Sequence, residues 1–493
     1  MLFLLNCDKI KEDITNHCLL LSSLSFFMEI YILLVLCLLL VCAFEFINGF
    51  HDTANAVAPV IYTNSLTPKK AVLLAAFFNF LGVSLGGISV AMGIIHLLPL
   101  DMIANQPVSF GICVVLSLLL AAIIWNFGTW YLGIPASSSH TLIGSILWVS
   151  LAMYWLDQSG VSIPWTKVID AGKSLLVSPV VWFLLAFGAM HILHLYVKNH
   201  DFFQHPWRFW NKYPKTWIKT SLIGSSIFVS FAHGSNDGQK WVGLAMLILI
   251  SLAPTYFAIN PNVDLMVVKQ NIDTIQSRFD ELDLTKVTPI DAASVVEARE
   301  SIDYVETILS KPEIAISEKI IIRKHILKIQ KDYKKLANKD FSLVPQANAL
   351  SETKNLSDIA PNIESISTVT DYAPWWIIAM ISISLGLGTM IGWKRIVITI
   401  GEKIGKDKLT YAQWTVASLM TAATISSASH LGLPVSTTHI LSSGVAGTMA
   451  HEHGKWGLQG DTIKSILMAW VLTLPVSTIL AWIIFLSLHA MFV

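Results

Sequence analysis

The sequence predicts an all-α polytopic membrane protein: two inverted-topology repeats with discontinuous helices, plus one soluble, partly helical insert. Three observations carry this. The composition suits lipid, two polar motifs occur twice in the same order, and the charges gather in one segment.

The 493 residues are 54% hydrophobic and only 13% charged, whereas a soluble domain is about a quarter charged. Residues 258–371 hold 14 of the 33 Lys+Arg and 18 of the 33 Asp+Glu, so the rest is apolar enough for a bilayer. Net charge is zero, which gives no reason to expect nucleic acid as a partner. The five cysteines show neither metal spacing nor a disulfide framework.

Apolar runs of spanning length fall at 29–48, 70–98, 108–132, 141–156, 174–197, 221–250, 375–392, 411–430, 440–450 and 465–489. Basic turns at Lys69–Lys70, Lys198–Lys219 and Lys394–Lys408 should face the cytoplasm by the positive-inside rule. Both termini and the insert then lie outside. The expected organisation is an N-terminal extension over 1–28, a first transmembrane repeat over 29–197 and a basic cytoplasmic loop over 198–220. The second repeat starts at 221–257, is interrupted by the insert at 258–371, and resumes over 372–493. Within 1–28, Lys9 and Lys11 precede an apolar run from Leu19 to Phe27 that continues into the first span, and Met28 is an alternative start. In the insert, Ile320, Ile321, His325, Ile326, Ile329 and Tyr333 stand near helical spacing within Ser317–Lys339.

The repeat is the most specific signal. Asn48–Ala58 aligns without gaps on His233–Gly243, pairing Asp52 with Asp237, His51 with Asn236, and Asn55 with Lys240. Gly133–His140 likewise matches Gly432–His439. The two copies of the first motif fall on helices of opposite predicted direction, a plan common in secondary transporters.

These residue types suit an anion carrier. Asp52 and Asp237 are carboxylates at membrane depth, which usually mark ion paths or proton relays. Glycines beside them permit an unwound stretch, so that Asn55 and backbone carbonyls near Gly49 would complete an oxygen cage for a cation. Gly-x-Pro ends one helix, and Ser137, Ser138 and Ser139, like Ser436, Thr437 and Thr438, cap the next. Free N–H groups and the positive dipole end at two such termini would hold a tetrahedral oxyanion. Lys240 would offset substrate charge, pair with Asp52 or Asp237, or snorkel out of the apolar region. An unperturbed histidine titrates near the second ionisation of phosphate, which makes His51, His233, His140 and His439 candidates for proton handling, and Glu45 is a further proton or cation candidate. His191 and His194 share a helix face at i, i+3 but have no evident third ligand, so no metal site is expected.

With these motifs the chain resembles the PiT family of inorganic phosphate transporters. They read GFHDTANAVAPVIYT, GIPASSSHTLIGS, FAHGSNDGQKWVG and GLPVSTTHILSSGVAG. The Lys of Gly-Gln-Lys-Trp, the stretch Gly388–Lys406 and the long hydrophilic insert are similar to the bacterial low-affinity type. The resemblance covers about 29–257 and 372–493. It implies a symporter, not an enzyme, in a bacterial inner membrane, with re-entrant hairpins carrying the Ser/Thr motifs. Asp52, Asn55 and Asp237 would lie near the ion and phosphate sites, and the hydroxyls, with Asn236 and Lys240, near the substrate. No cofactor is implied beyond a coupling H+ or Na+, with Mg2+ carried as a neutral metal-phosphate complex; a homodimer is a further expectation. Sulfate is the rival cargo of the same fold. A hydrolase would need a nucleophile elbow or a His-Glu-x-x-His helix, and the sequence has neither. A receptor reading leaves the paired motifs unexplained.

Overall fold

The computed structural model describes residues 2–95, 108–156, 165–206, 214–284, 288–337, 339, 341–342, 353–354 and 356–492. They form two compact units, one from 1–248 with 375–493 and the other from Leu249–Pro374.

The first unit is helical. Helix α1 spans Leu2–Tyr62. Leu34, Cys37, Val41 and Phe44 form its buried stripe, while Ile32, Val35, Leu36 and Leu39 are exposed. A helix with apolar residues on both faces suits lipid on one side and protein on the other. From Ile47 to Val60 the helix is buried all round. The expected unwound stretch beside Asp52 is therefore absent: α1 runs unbroken through Gly49, whose carbonyl accepts the Thr53 hydroxyl. Gly49 serves close packing instead. A Cβ there would meet the Leu385 carbonyl at 2.7 Å and the Thr389 amide at 2.8 Å, so the small residue lets two helices approach.

The expected span 70–98 is broken. Helix α2, Pro68–Leu85, starts with Pro at its first position, where no intrahelical N–H is needed, and stops before Gly86 and Gly87 (φ 82°); α3, Ser89–Ile95, follows. Then come α4 (Val108–Leu132), α5 (Ser138–Leu156) and α6 (Trp165–Tyr196). Helix α7 (Thr216–His233) passes through a π turn, Gly234–Gly238, into α8 (Gln239–Leu252).

The second unit has its own core. Its main helices are α9 (Leu265–Asp280), α10 (Pro289–Leu309), α11 (Ile316–Leu336) and α12 (Ala360–Ser367), with a two-residue strand pair, Phe341–Ser342 against Thr353–Lys354. Val268, Ile272, Ile275 and Phe279 of α9 pack with Val295, Ile302 and Val305 of α10 and Ile363 and Ile366 of α12. On α11 the buried stripe is Ile322, Ile326, Ile329 and Leu336. Of the residues expected to line it, Ile326 and Ile329 are buried and Ile321 and Tyr333 pack partly buried against this core, while Ile322 and Leu336 extend the stripe; buried Arg323 donates to the carbonyls of Ala258 (3.2 Å) and Thr370 (2.9 Å).

Back in the first unit, α13 (Trp375–Thr389) bends by 59° into Lys394–Lys403, made of α14 (Lys394–Ile398) and a π turn. Helix α15 (Tyr411–His430) opens with a Thr410/Gln413 capping box; α16 (Thr437–His453) and α17 (Gly460–Phe492) complete the chain. Among the described residues five helices are long and apolar enough to cross a membrane, or six counting the bent pair. Helix α16 has only 17 residues, and α15 carries Ser and Thr along its buried face; neither is in that set.

Candidate functional site

The two Gly-x-Pro-x-Ser/Thr segments have the same local build. Gly133 and Gly432 take φ 69° and 68°, the left-handed region that glycine enters without a Cβ clash. Ile134 N–H donates to Thr129 O (2.9 Å) and Leu433 N–H to Ala428 O (2.8 Å), closing both helix ends alike. Ser137 Oγ then accepts from His140 N–H (3.2 Å), and Ser436 Oγ from His439 N–H (3.3 Å). Ser137 and Ser436 are thus caps, satisfying amide groups that the first helical turn leaves free.

The two helix starts meet. The His140 and His439 rings lie 4.3 Å apart, with Trp470 4.0 Å beyond His439. Ser139 Oγ donates to Val435 O at 2.8 Å. Lys240 Nζ joins the segments through Ser139 Oγ (2.5 Å), Val435 O (2.7 Å) and Asp237 Oδ1 (2.8 Å). Its three donors have three acceptors, the requirement for burying an ammonium.

The carboxylates close on the same point. Thr438 Oγ1 donates to Asp52 Oδ1 at 2.6 Å, and Ser138 Oγ to Asp237 Oδ2 at 3.4 Å. His51 Nδ1 lies 3.3 Å from Asp52 Oδ1. His233 Nε2 sits 3.6 Å from both Asp52 Oδ2 and Asp237 Oδ2. All of these residues are buried. The π turn that carries Asn236 and Asp237 is an irregularity common at functional sites.

The tautomer of His233 follows from its neighbours. Thr389 Oγ1 donates to Leu385 O, so it accepts from Asn79 Nδ2 (2.9 Å). That turns Asn79 Oδ1 toward His233 Nδ1 (3.0 Å), which must be the donor. The Nε2 lone pair of a neutral ring would then face two carboxylate oxygens. A proton or a small cation among the three atoms removes that repulsion. Asp52, His233 and Asp237 place one ligand atom each within 4.8 Å of one another, a suitable set for a cation.

The remaining expected residues take other places. Both amide atoms of Asn55 are buried without a hydrogen-bond partner. Asn236 holds the Pro turn, donating to Ser429 Oγ (3.0 Å) and Leu433 O (3.1 Å) and accepting from Val435 N–H (3.3 Å). Glu45 accepts from Asn48 at 3.1 Å, and its other oxygen is buried without a partner. Thr437 is buried at the first position of α16. Sequence reasoning missed Asn79, Thr389 and the Val435 carbonyl. An Asn inside the apolar run Phe77-Phe78-Asn79-Phe80 was a signal for the first of these.

The sequence profile described as the phosphate transporter family matches residues 48–481. The chain is 41% identical to the low-affinity inorganic phosphate transporter PitB of Escherichia coli over 92% of this chain and 96% of that one. It is 40% identical to PitA of the same organism, over 91% and 95%, and 28% identical to the probable low-affinity inorganic phosphate transporter of Bacillus subtilis, over 94% and 98%. A solved structure titled "The sodium-dependent phosphate transporter" superposes with a TM-score of 0.51 at 20% identity, covering 93% of this chain and 99% of that one. It is similar in fold. Helical spans, converging capped termini and matched relatives agree, and the chain belongs to the phosphate transporter family.

Proposed function

We propose that this membrane protein imports inorganic phosphate together with protons, by alternating access between two inverted repeats. The observation that carries the proposal is the convergence of the α5 and α16 N-termini on Asp52, His233, Asp237 and Lys240. Positive helix ends and hydroxyls suit a tetrahedral oxyanion, and a histidine between two carboxylates suits a proton.

Coupling follows from competition for hydrogens. A hydroxyl donates one hydrogen. Thr438 and Ser138 give theirs to Asp52 and Asp237. Protonating a carboxylate weakens that hold and frees the hydroxyl to turn toward phosphate. Phosphate beside two ionised aspartates would be repelled, so substrate and cation enter together. Lys240 already sits as a fixed cation on Asp237, which leaves the Asp52–His233–Asp237 triad for the moving charge and favours H+ over Na+. Carrying phosphate as a neutral Mg2+ complex lowers the cost of burying the anion further.

Uptake of labelled phosphate by proteoliposomes tests this under an imposed proton gradient, then a sodium gradient, each with and without Mg2+. Proton-driven uptake that Mg2+ increases is expected. Uptake driven only by sodium overturns the coupling, and uptake of sulfate in place of phosphate overturns the substrate. Asp237→Asn should abolish uptake because it removes one of the two carboxylates that face His233, judged on variant protein correctly inserted in the membrane; full uptake by that variant would sink the ion-site assignment.

A further inference from the structure

Outside the central cluster, the fold completes a ligand set that the sequence left half made. His191 and His194 lie three residues apart on α6. Near its last turn α16 brings His451 and Glu452 beside them. His451 Nε2 lies 3.4 Å from His191 Nδ1, and His194 Nε2 lies 2.6 Å from Glu452 Oε1. The His194 and His451 rings are 5.2 Å apart. One ligand atom each from His194, His451 and Glu452 falls within 4.8 Å of the others.

We infer that these four side chains form a divalent-metal site, of the Zn2+ and Co2+ class, that clamps α6 to α16. The donor set decides the class. Imidazoles with one carboxylate suit borderline metals, whereas Mg2+ requires oxygen ligands. Tetrahedral zinc with Zn–N bonds of about 2.0 Å needs ligand atoms about 3.3 Å apart. The 3.4 Å and 2.6 Å separations straddle that value, so small rotamer changes suffice. The site is reachable as well: the side chains of His194 and Glu452 are 36% and 22% exposed. Phe203 packs on His194 (ring centroids 4.2 Å) and Phe187 on His451 (5.1 Å). These apolar walls limit the orientations open to the imidazoles. The site shares no residue with the Asp52–His233–Asp237 triad.

The test uses the full chain purified without a histidine tag, treated with chelator and titrated with Co2+. Visible d–d bands of tetrahedral Co2+ should rise to one equivalent, and added Zn2+ should abolish them while Mg2+ leaves them unchanged. His194→Gln with His451→Gln should lose the bands, and Glu452→Gln should weaken binding about tenfold or more. Asp237→Asn, in the central cluster, should keep the bands in protein that elutes on gel filtration as the parent does. Bands that survive the double variant, or that disappear with Asp237→Asn alone, would place the metal elsewhere and overturn the site, as would their absence from the parent protein. Should the double variant elute aggregated on gel filtration, the exposed-position variant His191→Gln gives the same reading through a weaker, spectrally altered Co2+ complex; unaltered bands and affinity there count against the clamp.

Discussion

Thr438 gives its single hydroxyl hydrogen to Asp52, and in the proposed cycle the same hydrogen turns to phosphate. Thr438→Val keeps the shape and removes the donor. A hydrogen bond to a charged group contributes about 1.5–3 kcal/mol, so uptake should fall roughly tenfold to a hundredfold, measured as initial rate at limiting phosphate. Uptake at the parent rate would remove this hydroxyl from the substrate path. Asp52, Asp237 and the Ser/Thr runs were legible in the sequence because a polar residue in an apolar chain stands out, and a repeated one stands out twice. Asn79, Thr389 and the Val435 carbonyl were not. None is repeated in a motif, and a backbone carbonyl carries no sequence signal. Their roles come from packing that brings α2, α13 and the Pro434 turn against the π turn.

Elements obey local chemistry where the chain must reverse or stop. Gly133 and Gly432 sit at φ 69° and 68°, where a Cβ costs about 1–2 kcal/mol. Gly133→Ala and Gly432→Ala should each lower the thermal midpoint of the detergent-solubilised protein, and the double variant should lower it by about the sum. A midpoint unchanged by either would show that the turn tolerates a side chain. The helices of the second unit offer a pH test. The Lys339 ammonium, then the Thr288 hydroxyl, hold the Asp291 carboxyl below its usual range; Lys311, then the Ala315 amide, do the same for Glu318. Lowered folded-state values mean that these contacts stabilise the fold above about pH 4, the unfolded value. The contribution is lost as pH falls through the lower folded values. Residues 249–374, expressed alone, should melt cooperatively by circular dichroism. The midpoint should be flat from about pH 7 to 5 and decline below about 4; Asp291→Asn with Glu318→Gln should lower the plateau and flatten the acid limb. Periodicity announced α11 and its buried Ile326 and Ile329, but not the burial of Arg323, which depends on carbonyls far along the chain.

For the whole molecule, basic turns predict that the Lys198–Lys219 loop faces the cytoplasm and the insert faces outward. In a chain whose own cysteines are replaced by serine, Ile290→Cys, at an 80% exposed position, should react with a membrane-impermeant maleimide in intact spheroplasts. Thr216→Cys should react only after lysis. The reverse pattern would invert the topology. By itself the sequence determined that most of the chain suits lipid, that one segment suits water, and that two motifs recur in order. Composition, hydropathy and repetition are local properties. The tertiary structure alone decided that α1 stays helical through Asp52, that the span after Lys70 breaks at Gly86–Gly87, and that α6 and α16 pool their histidines with Glu452. Those outcomes depend on which helices pack together: a glycine-containing helix stays unbroken in buried surroundings, and only packing brings side chains distant in sequence within a few ångströms of one another.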